Sequence, residues 1–249
     1  MAVKASRSGA RILHALELIA QHQPVGVSDL ARLLDANVAA AQRAVATLVE
    51  EGWIRPASGR QRGWELTAHI HTVAQHAHGS HDLRRRARGA LEQLWQETGE
   101  SVLLIVVDGN RFVVVDVLES AHYVRSAPPV GLVVPPRASA TAWAILPFMS
   151  ADRQAEFLDG AWDAELADKC AETRKRGFAV SRGDVFAGST NIAAPIFEMD
   201  GSPVGALLVS VPNDRSSESE EARLGELVVN IAGQVSRGRP LALSAVGGQ

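Results

Sequence analysis

The sequence predicts an α+β protein with an N-terminal winged helix-turn-helix, a linker helix and a C-terminal antiparallel sheet that carries helices. Three observations support this fold class. Helical apolar spacing, a tight turn and a glycine-containing loop follow one another within the first 66 residues. Two pairs of β-branched runs flank Asp-Gly turns after residue 100. The chain of 249 residues is 46% hydrophobic and 21% charged, so it has enough apolar residues for a sizeable core.

These patterns divide the chain into four segments. We expect a winged helix-turn-helix over residues 1–66, a linker helix over 67–82, a sheet domain over 83–238 and a flexible tail over 239–249.

The formal net charge of −3 hides two unlike halves. Residues 1–88 hold 12 Lys and Arg against 7 Asp and Glu, which gives +5, whereas residues 89–249 hold 13 against 21, which gives −8. Charge asymmetry of this kind indicates that the N-terminal part meets a polyanion.

The N-terminal segment contains three predicted helices. Apolar residues at helical spacing mark the first helix over 11–21, and Ser28 is placed to cap the second over 29–34. Asn37 is a good N-cap for the third helix over 38–51, which Gly52 ends. This third helix has Ala41, Val45 and Leu48 facing inward; its outward residues are Ala39, Ala40, Gln42, Arg43 and Ala46.

Two short strands around a loop follow, at 53–55 and 64–66, and the loop carries Arg60 and Arg62. Helix, helix, turn, helix and hairpin is the order of a winged helix-turn-helix.

The linker is polar, and Gly79-Ser80 interrupts it before an apolar stripe at Leu83, Ala87, Leu91 and Leu94. Four arginines at 84, 85, 86 and 88 fit either DNA phosphates or ion pairs with a partner subunit. Five histidines fall between residues 69 and 81, but residues at i and i+2 face apart on a helix. A polar helix is therefore favoured over a metal site, and no metal or other cofactor is expected.

The sheet domain opens with a hairpin over 102–107 and 111–117, and Tyr123–Pro128 is a candidate strand. Helices follow at 138–149, 152–158 and 163–176, the last ended by Gly177. A second hairpin covers 192–198 and 204–211, and Ser217 with Glu220 opens a final helix to about Arg237. We expect the helices to cover one face of a curved sheet.

Several classes of protein are disfavoured. No apolar run approaches the roughly 18 residues of a membrane-spanning helix, so we expect a cytoplasmic protein. Cys170 is the only cysteine, which excludes an intrachain disulfide. No nucleophile-elbow, phosphate-loop or metal-ligand motif frames the Ser, His and Asp residues of the second domain, so an enzyme is disfavoured.

Five short stretches resemble the IclR family of bacterial transcriptional regulators. They are Arg43-Ala44-Val45-Ala46-Thr47-Leu48 with Gly52, Thr98-Gly99-Glu100-Ser101-Val102, Arg176-Gly177-Phe178-Ala179, Ile192-Ala193-Ala194-Pro195-Ile196, and Gly201-x-Pro203-Val204 running to Ser210-Val211-Pro212. Each is short, but their shared order covers about residues 7–237. The resemblance implies a dimerising linker helix, a GAF-like C-terminal domain that binds a small-molecule effector, and a homodimer on a pseudo-palindromic double-stranded DNA operator, with dimers that pair into tetramers in many members.

The predicted DNA-binding surface follows from the helix-turn-helix order. Gln42 and Arg43 are candidates for base readout, because Gln favours adenine and Arg favours guanine in bidentate pairs. Arg55, Arg60 and Arg62 are expected on phosphates or in the adjacent minor groove. Family members usually carry Ser or Thr where this chain has Ala39 and Ala40, which are suited to thymine methyl groups.

The resemblance also implies the effector-binding positions, which are Ala140, Thr141, Ser181, Asn191, Leu208 and Ser210. Amide groups at the helix start near Ala140 would hold a carboxylate. Apolar side chains lie near these positions in the sequence, namely Trp143, Phe186, Val134 and Leu132. We therefore expect an aromatic or medium-sized apolar effector with a polar or carboxylate head group.

The expected function is a ligand-responsive transcriptional regulator, more specifically a repressor. The alternative is a small-molecule-binding module or an enzyme with a non-regulatory helix-turn-helix.

Overall fold

The chain divides into two units, residues 1–77 and 78–249. The structure is a computed structural model that describes residues 5–58, 62–75, 80–123, 125, 128–158 and 162–238. The division falls inside the segment 67–82 that was predicted as a linker. Within the described residues, no helix is long and apolar enough to cross a membrane.

The N-terminal unit has the element order of a winged helix-turn-helix, as predicted. Its elements are α1 (Arg7–His22), α2 (Val27–Leu33), α3 (Val38–Glu50), β1 (Ile54–Pro56), β2 (Trp64–Leu66) and α4 (His69–Gln75). The core is formed by apolar side chains from all three opening helices, among them Ile19, Leu30 and Val45, together with Ile54 of β1. Strands β1 and β2 pair antiparallel.

Local hydrogen bonds fix both ends of α3 as the sequence predicts. The Asn37 side chain accepts from the Ala40 amide at 2.8 Å, which makes it the N-cap. At the other end, the Gly52 amide donates to the Val49 carbonyl and the Trp53 amide to the Leu48 carbonyl. Gly52 has a φ of +75°, so this pair of bonds is a Schellman cap that glycine adopts without strain.

The start of α2 differs from the prediction. Gly26, not Ser28, is the N-cap, and the first helical bond runs from the Leu30 amide to the Gly26 carbonyl. The cause is tertiary, because Val25 exchanges backbone hydrogen bonds with Trp64 of the wing and so fixes where the chain turns. Similarly, α1 begins at Arg7 with Ser6 as its cap, four residues before the predicted start.

The C-terminal unit is a six-stranded antiparallel sheet with the strand order β5-β4-β3-β8-β7-β6. Its strands are β3 (Ser101–Asp108), β4 (Arg111–Leu118), β5 (Val133–Val134), β6 (Ala179–Arg182), β7 (Ser189–Phe197) and β8 (Pro203–Pro212). Its helices are α5 (Ser80–Thr98), α6 (Ala140–Ile145), α7 (Ala151–Leu158), α8 (Ala164–Arg176) and α9 (Glu218–Val235), with 3-10 turns at Leu146–Phe148 and Asn213–Arg215.

Helices cover both faces of this sheet, so the prediction of a single covered face is wrong. One core packs Val102 and Leu104 of β3 against α5 and α9. The other packs the alternate residues Leu103 and Ile105 against α6 and α8. Two faces are needed because successive side chains of a strand point in opposite directions and β3 is apolar at both sets of positions.

Two strand assignments also differ. Of the candidate strand Tyr123–Pro128, the described residues Tyr123, Arg125 and Pro128 lie in no strand, and the rest lies outside the described residues. The sheet edge is formed instead by β5, which pairs with β4. Strand β6, at the other edge, was not predicted. The last helix ends at Val235 rather than Arg237.

The arginine cluster of α5 has carboxylate partners within its own unit. Arg84 contacts Asp116 at 3.1 Å, Arg85 contacts Asp82 at 2.8 Å and Arg86 contacts Glu198 at 2.6 Å. Arg88 contacts Glu92 at 2.8 Å. The pairs of Arg84 with Asp116 and of Arg86 with Glu198 join α5 to the sheet and the turn after β7, whereas the pairs of Arg85 with Asp82 and of Arg88 with Glu92 lie within α5. Contacts of this cluster with DNA phosphates or a partner subunit stay a prediction.

Cys170 lies on the buried side of α8, where burial raises the pKa of its thiol to about 12. The thiol is therefore protonated and unreactive at neutral pH.

The packing of α9 predicts opposite effects for two glycines of that helix. A Cβ at Gly225 would lie 2.3 Å from the Phe178 ring, and the Arg176 guanidinium lies over the same ring, 4.5 Å from its centroid. We expect Gly225→Ala to lower the free energy of unfolding by about 1–3 kcal/mol through overpacking. The matched control is Gly233→Ala, where a Cβ meets nothing within 4 Å, and it should raise stability by about 0.5–1 kcal/mol. Urea denaturation of both variants measures this, and equal effects would contradict the packing described for Gly225.

Candidate functional sites

Helix α3 presents a polar and partly apolar outer face. Ala39, Gln42, Arg43 and Ala46 are exposed there. Among the described residues, neither the Gln42 amide nor the Arg43 guanidinium has a side-chain hydrogen-bond or ion-pair partner. Two adjacent long side chains without partners on an exposed helix are free to contact base edges in a major groove.

Ala40 does not belong to that face, and its placement there was wrong. It is only 6% exposed and lies with Ala41 and Ala44 on the inner side of α3. The predicted inward stripe of α3 was too narrow. The core-facing side of a helix in a globular protein includes three or four residues in every two turns, and here it also includes Ala40 and Ala44. Ala40 therefore cannot reach a thymine methyl group in this arrangement.

The wing supplies exposed arginines with different surroundings. Arg55 on β1 forms an ion pair with its cross-strand neighbour Glu65, with Nε and Oε1 2.9 Å apart. Arg62 is exposed just before β2. Arg60 lies outside the described residues. Of these side chains, Arg55 is already partly neutralised, so Arg62 is the better candidate for a phosphate contact.

The C-terminal unit contains a cavity between the sheet and the start of α6. Its lining residues are Leu103, Ile105, Val114, Pro128, Leu132, Val134, Ser139, Ala140, Thr141, Ser181, Val185, Phe186, Asn191 and Leu208. Apolar side chains with a few polar groups among them are the lining typical of a small-molecule site.

A row of polar side chains crosses the sheet at one end of the cavity. Ser181 of β6 stands opposite Asn191 of β7, and Asn191 stands opposite Ser210 of β8. Residues directly opposite each other in antiparallel strands point to the same face. All three therefore point toward the layer of α6 and α8.

Three hydroxyls near this row are buried without a hydrogen-bond partner among the described residues: Thr141 Oγ1, Ser181 Oγ and Ser210 Oγ. Each of these residues is at most 1% exposed. Buried polar groups are normally paired, because leaving one unpaired costs about 1–3 kcal/mol. Unpaired hydroxyls beside a cavity are therefore suited to hydrogen bonds with a bound molecule.

The structure brings most of the predicted effector positions together. Ala140, Thr141, Ser181, Asn191 and Leu208 line the cavity. Ser210 does not line it but adjoins Asn191 in the polar row.

Trp143 does not line the cavity, although it was predicted among the effector positions. Its Nε1 donates to the Arg137 carbonyl at 2.8 Å, and Lys169 Nζ lies 5.1 Å from the centre of its ring. Trp143 lies two residues past Thr141 on α6, so the helical turn points its side chain in another direction.

Sequence reasoning missed the apolar wall formed by Leu103, Ile105 and Val114. The alternation along β3 groups Leu103 with Ile105, but only the pairing of the strands shows which face they line.

Metal binding finds no support in the part of the chain that is described, where no group of three His, Cys, Asp or Glu could hold an ion. Of the five clustered histidines, His76 and His78 lie outside the described residues. The His69 ring packs edge-on against Trp53, with ring centroids 4.5 Å apart.

Two family models match the chain. The model described as the C-terminal domain of the bacterial transcriptional regulator IclR matches residues 75–237. The IclR helix-turn-helix domain matches residues 9–58.

Curated relatives and solved structures agree with these matches. Transcriptional repressor IclR of Escherichia coli K12 is 25% identical over 244 residues, covering 92% of this chain and 89% of the repressor. HTH-type transcriptional regulator KipR of Bacillus subtilis is 28% identical over 229 residues, covering 87% of this chain and 90% of the regulator. An IclR homologue from Microbacterium hydrocarbonoxydans, solved with 4-hydroxybenzoate, has 21% identity and a TM-score of 0.76, covering 92% of this chain and 97% of its own.

The polar row predicts contrasting effects for two serines that stand opposite each other. Ser210→Ala removes a hydroxyl without a partner, so the free energy of unfolding of the ligand-free protein should stay the same or rise by up to about 1–2 kcal/mol. Ser101→Ala is the matched control, because Ser101 Oγ accepts from the Ser120 amide at 3.0 Å. It should lower stability by about 1–3 kcal/mol, since the buried amide is left unpaired. Chemical denaturation compares the two, and a larger loss for Ser210→Ala would show that its hydroxyl is already paired.

Proposed function

Because the chain belongs to the IclR family of bacterial transcriptional regulators, we propose that it is a repressor whose operator affinity changes when a small molecule occupies the cavity of the C-terminal unit. This proposal rests on two features that occur in the same chain. A winged helix-turn-helix with unpartnered Gln42 and Arg43 precedes a unit whose cavity has unpaired buried hydroxyls.

DNA recognition rests on the outer face of α3. This helix enters a major groove, where Arg43 is suited to guanine, Gln42 to adenine and Ala39 to a thymine methyl group. Arg62, with Arg55 beside it and Arg60 in the same loop, contacts the phosphate backbone. In a homodimer, two such helices reach successive major grooves of a pseudo-palindrome, with half-sites about 34 Å apart.

The effector is a medium-sized aromatic or apolar compound with a polar or carboxylate head group. Apolar side chains form most of the cavity wall, whereas Thr141, Ser181 and Asn191 place hydrogen-bonding groups at one end. The 4-hydroxybenzoate complex of the structural relative supports an aromatic ligand.

Regulation requires that the effector bind two arrangements of the dimer with different affinity, since only differential binding shifts a population. The factor by which bound effector changes the affinity for DNA then equals the factor by which bound DNA changes the affinity for the effector.

The test is selection of binding sites from random DNA, followed by mobility-shift titration of the selected site and of DNA upstream of the gene. We expect a sequence-selective complex that weakens steeply with salt. A salt-sensitive complex without sequence preference, or no complex, would contradict the repressor and leave a small-molecule-binding module.

Two arginine variants separate base readout from phosphate contact. Arg43→Ala should weaken binding to the selected site by about 1–3 kcal/mol and relax the base preference. Arg62→Ala should weaken binding to all DNA sequences alike and reduce the slope of log affinity against log salt concentration by about 1. The control is Arg223→Ala, an exposed arginine of α9 that pairs with Glu220 and should leave DNA affinity unchanged. If Arg43→Ala binds with wild-type affinity and preference, the outer face of α3 is not the reading surface.

A further inference from the structure

More than half of the exposed residues of α3 are apolar. Seven residues of this helix are exposed, and four of the seven are valine or alanine. A helix in a globular protein normally turns charged and polar residues to solvent. Apolar side chains that are grouped on one exposed face, rather than scattered singly, mark an interaction site. The seven exposed residues are Val38, Ala39, Gln42, Arg43, Ala46, Val49 and Glu50.

Val38, the first residue of α3, is 46% exposed and is not explained by the fold of its own unit. Valine is a weaker helix former than alanine, so helix propensity does not favour it there. The Asn37 side chain caps the helix by accepting from the Ala40 amide at 2.8 Å, which fixes the first turn without using the Val38 side chain. Among the described residues that form the core of this unit, α3 contributes Val45 and others, but Val38 is not one of them.

Helical spacing places Val38 beside Gln42. Side chains three or four positions apart are neighbours on a helix, so Val38 lies one turn before Gln42, as Ala39 lies one turn before Arg43. The N-terminal residues of the recognition helix are those that contact base edges in a helix-turn-helix. A base that is next to the one contacted by Gln42 would therefore face the apolar side chain of Val38.

The chemistry of the major groove limits what Val38 can contact there. Among the four standard bases, only thymine presents an apolar group in this groove, which is its C5 methyl group. 5-Methylcytosine carries a methyl group at the same position. DNA is favoured over a protein as the occupant of this face, because Gln42 and Arg43 lie on it without a partner among the described residues and Arg62 is exposed in the same unit.

We propose that Val38 is a specificity-determining residue that packs against the C5 methyl group of a pyrimidine in each half-site. The inference rests on the proposed function, in which α3 enters a major groove. It adds the recognition of a methyl group to the hydrogen bonds made by Gln42 and Arg43. Each half-site then carries thymine or 5-methylcytosine beside the base pair that Gln42 contacts.

The test replaces each thymine of the selected site by deoxyuridine, in one half-site at a time, which keeps the base pair and removes the methyl group. Mobility-shift titration should show one position where affinity falls about fourfold in a manner that depends on Val38, which corresponds to the ~0.8 kcal/mol of one buried methylene-sized group. In Val38→Ala the loss at that position should fall below about twofold, because the contact is already absent.

The matched control is Val49→Ala, the same substitution at another exposed valine of α3. Val49 lies about 16 Å further along the helix at 1.5 Å per residue, away from the end that contacts bases. This variant should keep the fourfold loss. Val38→Ala should melt at the same temperature as the wild type or higher, because alanine is the better helix former. A lower melting temperature would assign Val38 a role in folding and contradict the inference.

A second replacement separates the two sources of the methyl group. At the position that depends on Val38, a cytosine-guanine pair should bind more weakly than the thymine-adenine pair. If 5-methylcytosine in that pair regains affinity in the wild type and not in Val38→Ala, the methyl group is recognised on either base. If it regains nothing while the loss with uracil persists, the recognition is confined to thymine.

Failure of this inference differs from failure of the repressor. A selected site that binds equally well with uracil at every position would overturn the inference and leave the repressor. The same holds for a uracil loss that is equal in the wild type and Val38→Ala, or that disappears in Val49→Ala as well. Absence of any sequence-selective complex would overturn both.

Discussion

Burial of the central strands on both faces is the constraint on which the rest of the C-terminal unit depends. All nine residues of β7 are buried, and so are nine of the ten residues of β8. Because side chains alternate along a strand, each strand must supply two cores at once. The layer of α5 and α9 covers one face, and the layer of α6 and α8 covers the other. The cavity lies between the sheet and the second of these layers.

The same constraint explains why the polar row is informative. Ser181, Asn191 and Ser210 occupy positions of a buried face where apolar residues would pack without cost. Ser101, the next residue across the sheet, shows the ordinary solution, because its hydroxyl is paired with the Ser120 amide. Hydroxyls that stay unpaired in the same row carry a cost in the free protein, which the proposed ligand would remove.

The two structural units divide the charge differently from a split at residue 88. Split at residue 88, the N-terminal part carries +5, but four of its arginines belong to α5 and pair inside the second unit. Split after residue 77, the first unit holds 8 Lys and Arg against 6 Asp and Glu. The first unit thus carries only +2, so the proposed DNA binding would depend more on the positions of Arg43 and Arg62 than on the overall charge of the unit.

The sequence by itself determined the features that depend on neighbours along the chain. The cap at Asn37, the end of α3 at Gly52, the hairpin around Asp108-Gly109 and the end of α8 at Gly177 follow from local backbone chemistry. The order of these elements was sufficient to predict the winged helix-turn-helix and the antiparallel sheet. The family resemblance added positions of the effector site, five of which line the cavity.

Only the tertiary structure decided which partner each face meets. Periodicity shows which residues of an element share a face, but it does not show what covers that face. For this reason the second helical layer, the burial of Ala40 and the direction of Trp143 could not be predicted. The pairing of β6, β7 and β8 likewise aligned Ser181, Asn191 and Ser210, which are up to 29 positions apart in the sequence. Strand register and ion pairing are set by contacts between distant residues, and these contacts form only when the whole unit folds.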